Sequence, residues 1–317
     1  MPVAEQVVQA ESWAPADTGR AGLRGVAQVA LSSNAWSGLL FTVALFVDGW
    51  QLGLYGLLGA ASSTVAAALL GADRKGLTEG LQGYCGCLTG IALMVRLGGS
   101  WQTAVLTVLA AAVCSVLSGA AGRFLGPRGL PVLTAPYCLV AGALVVALSK
   151  APVTAGATTR ISGFTNLTVT ETGRALCNNI GQVFYLDKWY ASLLVLVGLF
   201  VASRIAGLAA IGASALTLLT SCVAGLPADR IVEGLYGYNG VLCAVALAAT
   251  FLTLTPWTAG YAALAAVASV PFTAAWEVFA QPSGGYPFTW PFTVTTWLFL
   301  AAGPALGRPG ISFEKAM

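Results

Sequence analysis

Gln, Thr and Tyr recur in this chain as matched pairs, and each pair offers hydrogen-bonding chemistry without charge. Gln28 and Gln182 lie 154 positions apart. A glutamine supplies one carbonyl acceptor and two amide donors. Thr134 and Thr289 lie 155 apart, each two residues before a proline, Pro136 and Pro291. Proline removes a backbone donor and disfavours helix in the residue before it, so carbonyls are freed beside each small hydroxyl. Tyr84 and Tyr238 each precede a leucine by four residues, Leu88 and Leu242, a spacing that places both on one helical face. Such groups can accept a neutral polar molecule. Each pair also has a plainer alternative: a Gln facing lipid headgroups, a Thr capping a helix that starts at Pro, a Tyr in ordinary helix packing.

Other chemistry is poorly provided for. His is absent, which removes the imidazole used as general base, zinc ligand or haem ligand. Seven Cys lie mostly in apolar runs, and Cys85-Gly86-Cys87 is not a metal spacing. They read as small apolar fillers. Glu79 and Glu233 fall at the starts of predicted spans, Asp48 and Asp73 at span ends. Acids inside a bilayer usually mark proton or sodium pathways. Their scarcity argues against ion coupling and against an intramembrane enzyme, and it favours passive conduction of a neutral solute. No cofactor and no metal is expected.

The elements that position these residues must be membrane helices. The 317 residues are 57% hydrophobic and only 9% charged, with 15 basic and 12 acidic side chains. The mean hydropathy is +0.80. So few charges cannot cover a soluble body, and a net charge of +3 gives no electrostatic footprint for a nucleic-acid partner. Thirty-eight glycines suit close helix packing in lipid. The first 18 residues carry three acids before any Arg and no apolar core, which reads as a soluble tail rather than a signal peptide.

Ten apolar segments follow: 36–48, 50–71, 76–96, 100–122 and 136–149, then 189–202, 204–225, 229–250, 255–276 and 291–307. Stretches 19–34 and 173–187 are too short to cross and too apolar for a solvent loop, so they read as half-length helices. Sliding the chain by 154 places EGLQGYCGCL (79–88) on EGLYGYNGVL (233–242), with seven of ten positions identical. Five spans per half is odd, so the second repeat enters from the opposite side. The expected layout is a tail (1–18), a first inverted repeat (19–150), a linker (151–172), a second inverted repeat (173–308) and a tail (309–317). With both termini cytoplasmic, nine basic residues fall inside and six outside. The fold class is therefore an all-α polytopic membrane protein, with ten transmembrane helices and two re-entrant half-helices around a central pore.

These motifs resemble the urea transporter family. That family carries a signature of the form LPxxTxPF once in each half; here the copies read LPVLTAPY (130–137) and YPFTWPF (286–292). LRGVAQV (23–29), SSNAWSGLL (32–40) and EGLYGYNGVL (233–242) are also similar to the family's. The resemblance covers about residues 20–307 and implies a homotrimer in the cell membrane, each protomer holding its own urea pore. It implies oxygen ladders from Gln28, Gln182, Thr134 and Thr289. It places Leu31, Tyr185, Tyr84 and Tyr238 in a narrow slot, with Leu88 and Leu242 at the constriction.

Five positions depart from the family pattern. Tyr286 replaces a Pro in the second signature, Leu31 and Tyr84 stand where Phe is expected, Cys85 replaces the Asn kept at Asn239, and Tyr137 ends the first signature. They bear on selectivity, and another small neutral solute, such as a short amide, ammonia or water, is the alternative cargo.

Overall fold

The computed structural model describes residues 15–148 and 164–306, so residues 1–14 of the expected N-terminal tail, the expected C-terminal tail and most of the expected linker lie outside the described residues, while 15–18 of the expected tail begin the first helix. Fourteen α-helices are found there, and no strand. In chain order they are α1 (Pro15–Ala27), α2 (Ala35–Asp48), α3 (Trp50–Leu69), α4 (Arg74–Thr78), α5 (Tyr84–Leu97), α6 (Trp101–Leu125) and α7 (Ala135–Leu148). Then follow α8 (Val169–Gly181), α9 (Trp189–Ala202), α10 (Arg204–Val223), α11 (Ala228–Val232), α12 (Tyr238–Val245), α13 (Pro256–Ala280) and α14 (Trp290–Ala302). A π-helical turn, Ala246–Phe251, extends α12.

By length and composition, four of the described helices can cross a bilayer: α3, α6, α10 and α13. The half-length stretches form as expected. α1 and α8 each end in a 3₁₀ turn, Gln28–Ala30 and Gln182–Phe184, before the chain bends by 78° into α2 and by 71° into α9. The 14-residue helices α5 and α7 reach only about 21 Å at a rise of 1.5 Å per residue, against about 30 Å of hydrocarbon.

One expectation is corrected. Segments 76–96 and 229–250 are not continuous spans. Each breaks after a five-residue helix, α4 or α11, and restarts at Tyr84 or Tyr238. Glu79 and Glu233 are therefore C-caps of those short helices rather than the starts of spans. The reason is steric. Gly80 and Gly234 both sit at φ +80°, where a Cβ would come within 2.4 Å of Arg24 C and 2.5 Å of Asn178 C. The backbones of α1 and α8 pass so close that the chain must turn through glycine there.

α3 lies against α5 and α6, α10 against α12 and α13, and α2 against α9. The α3–α5 approach is set by Gly59 and Gly86: a Cβ on Gly59 would meet the Gly86 carbonyl oxygen at 2.0 Å. Hydroxyls join these helices as well. Ser115 Oγ donates to the Ser63 carbonyl at 2.7 Å, and both side chains are buried. The outer surface is apolar, with Leu69 83% and Phe279 80% exposed. Apolar exposure on that scale fits a lipid-facing surface.

Candidate functional site

The two glutamines close the half-length helices in the same way. Gln28 Nε2 donates to the Glu79 carbonyl at 3.0 Å, and Gln182 Nε2 donates to the Glu233 carbonyl at 3.2 Å. Each amide thus gives one N–H to the helix break opposite, and each side chain keeps its acceptor oxygen and a second N–H. The next residues turn left-handed: Leu31 has φ 60° and ψ 34°, Tyr185 φ 60° and ψ 33°. A non-glycine residue seldom adopts this conformation, and it is held here by the surrounding contacts.

One turn upstream lies a pair that identity matching passes over. Arg24 Nη1 donates to the Thr78 carbonyl at 2.9 Å, and Asn178 Nδ2 donates to the Val232 carbonyl at 2.8 Å. Their positions differ by 154. Different side chains make the same bond, so only the offset, not the residue type, would have found them.

The threonines meet directly. Thr134 Oγ1 and Thr289 Oγ1 are 2.6 Å apart, and Thr134 Oγ1 is 2.9 Å from Thr293 Oγ1. Cys138 Sγ is 3.2 Å from Thr289 Oγ1. Thr289 makes no capping bond to α14, so its hydroxyl does not serve as the helix cap that the Pro spacing allowed. The residues just before the threonines, Leu133 and Phe288, have φ of 49° and 46°. Their carbonyls take hydrogen bonds from the paired tyrosines: Tyr84 OH donates to Leu133 at 2.6 Å, and Tyr238 OH donates to Phe288. Leu88 and Leu242 are buried within the central apolar cluster.

A cavity of about 890 Å³ opens on the Gln182 side. Of the ten predicted residues, Gln182, Tyr185, Tyr238 and Thr289 line it. Gln28, Leu31, Tyr84, Thr134, Leu88 and Leu242 do not. Thr134 lies directly behind the wall, through its bond to Thr289. Charged residues that sequence reasoning did not select also border the cavity: Arg96, Asp187, Arg230, Glu233 and Glu277. Arg96 stacks 3.4 Å above the Tyr286 ring, and Arg230 pairs with Glu277. Asp187, in the loop between α8 and α9, is held above the usual carboxylate range by desolvation and by Asp48, with Arg96 and Lys188 pulling the other way. These residues are scattered along the chain from Arg96 to Glu277. Only folding brings the end of α5, the loop before α9, and α11 to one rim.

The deeper wall is thus aromatic rings and uncharged oxygens, with the charges at the rim. No group of three or more His, Cys, Asp or Glu suited to a metal occurs among the described residues. The deeper wall can offer acceptors to a small neutral solute and no compensating charge to a bare ion that has passed the rim.

The urea transporter family model matches residues 20–304. Urea transporter 1 of Ovis aries is 30% identical over 289 residues, which cover 88% of this chain and 75% of that protein. Urea transporter 1 of Mus musculus is 29% identical over 289 residues, with the same coverage. With a match of that extent, the chain belongs to the urea transporter family.

Proposed function

We propose that this protein conducts urea across a membrane down its gradient, through a narrow path between the two halves of the chain. The observation that carries this reading is the family match over residues 20–304. The chemistry of the cavity supports it. Urea is planar, neutral and rich in N–H donors, so stripping its water is costly unless each donor finds an acceptor. Gln182 and Thr289 stand on the cavity wall, with Gln28 and Thr134 as their repeat partners, and together they supply acceptors in series. The rings of Tyr185 and Tyr238 form the flat sides, with Leu31 and Tyr84 as counterparts beyond the threonines. Leu88 and Leu242 line the tightest part.

The reading extends to the architecture. Ten segments, two of them broken at Gly80 and Gly234, make up two inverted five-segment repeats, α1 and α8 enter as half-helices, and three protomers assemble with one path each. The protein sits in the cell membrane with both termini cytoplasmic. Repetition of backbone conformation supports the inverted repeat: left-handed residues recur at Leu31 and Tyr185, and at Leu133 and Phe288.

Stopped-flow flux into proteoliposomes tests the function. Urea flux well above that of protein-free vesicles, without a sodium or proton gradient, is expected. A strict requirement for either gradient would overturn it.

A further inference from the structure

Tyr137 is buried, and it does not line the cavity. Its hydroxyl is nonetheless bonded to the hydroxyl of Tyr185, whose ring forms part of the cavity wall. Its own ring packs edge-on against Phe288, with centroids 5.5 Å apart and planes at 79°. The Phe288 carbonyl in turn accepts the hydroxyl of Tyr238, and Phe288 and Tyr238 both line that cavity. One buried side chain thus holds one wall ring by its hydroxyl and backs the residue that anchors the other.

The arrangement joins the two halves of the chain once, without a symmetric copy. Shifting Tyr137 by 155 gives Phe292, and shifting Tyr185 back by 154 gives Leu31. Neither carries a hydroxyl, so the bond has no counterpart across the repeat. It also lies on the side where the cavity opens. The left-handed backbone at Tyr185 limits how the ring can be re-aimed from its own main chain, which leaves the hydroxyl as the point that decides whether it swings.

We infer that Tyr137 is a positioning residue for selectivity: by tethering Tyr185 it fixes the width of the aromatic wall and so sets discrimination against solutes thicker than urea. This rests on the urea-conduction reading. A solute with added methyl groups passes the wall only when the Tyr185 ring gives way. With the tether present, that displacement breaks a hydrogen bond between two phenols. Without it, the ring moves at little cost.

The experiment compares urea, N-methylurea and N,N′-dimethylurea flux in proteoliposomes of the full chain. In Tyr137→Phe the dimethylurea-to-urea ratio is expected to rise about fivefold, the effect of one neutral hydrogen bond. Tyr185→Phe removes the other end of the same bond and should shift the ratio in the same direction. The double variant should match Tyr137→Phe rather than multiply the two effects. An unchanged ratio in Tyr137→Phe, or multiplicative effects in the double variant, overturns the inference. Should Tyr137→Phe fail to fold, an unchanged ratio in Tyr185→Phe overturns it equally. Failure of the wild-type protein to carry urea strikes the function itself, and is separable because the ratio is read only where urea flux exists.

Discussion

Thr134 and Thr289, 155 positions apart in the chain, are joined Oγ1 to Oγ1 at 2.6 Å with both side chains buried. The bond ties the end of the loop before α7 to the start of α14, and Thr293 adds a third hydroxyl at 2.9 Å from Thr134. Thr134→Val keeps the shape and removes the hydroxyl. The remaining hydroxyls then lose a partner in an apolar surrounding, at about 1–3 kcal/mol. Urea flux should fall about tenfold or more, while the protein still runs as a single species in size-exclusion chromatography. Normal flux would remove Thr134 from the conduction path.

Gln182 and Gln28 make the same bond to the two helix breaks, yet only Gln182 lines the described cavity. Gln182→Leu should lower urea flux without unfolding the protein, because it removes an acceptor from an open wall. Gln28→Leu should lower flux as well, because the α1 half-helix works in series with α8. Unchanged flux in both variants would contradict the ladder assignment.

Gly80 and Gly71 separate two effects of glycine. Both have positive φ, +80° and +82°, but a Cβ on Gly71 meets nothing within 4 Å, whereas one on Gly80 would strike Arg24 C at 2.4 Å. Gly71→Ala should cost about 1 kcal/mol of backbone strain and leave a folded protein. Gly80→Ala must also push α1 away from the break, and its melting temperature in detergent should drop much further or folding should fail. Equal melting temperatures for the two variants would show that α1 does not press on this turn.

No Asp or Glu is found among the buried side chains of the described residues. A coupled transporter needs a titrating or cation-binding group along its path. Urea flux should therefore be unchanged by imposed sodium or proton gradients of either sign, measured in the same vesicles. A gradient-dependent rise in the accumulation of urea would show that a rim carboxylate such as Asp187 or Glu233 couples to transport.

The amino-acid sequence alone determined the class of the protein and which polar residues recur as pairs. Low charge and long apolar runs leave lipid as the only compatible solvent, and that constraint acts residue by residue along the chain. Pairing at an offset of 154 or 155 is likewise a property of the linear chain, so Gln28 with Gln182 and Thr134 with Thr289 were legible before any fold. The tertiary structure decided what no local pattern contains. The helix breaks at Gly80 and Gly234 follow from the close passage of α1 and α8, while the apolar runs continue across both turns. Arg96, Asp187 and Glu277 reach one cavity only after folding. The bond between Tyr137 and Tyr185 joins two side chains whose repeat partners lack hydroxyls, so symmetry could not announce it. A short-range pattern reports which solvent a segment wants; which two distant hydroxyls share a proton depends on packing across the whole chain.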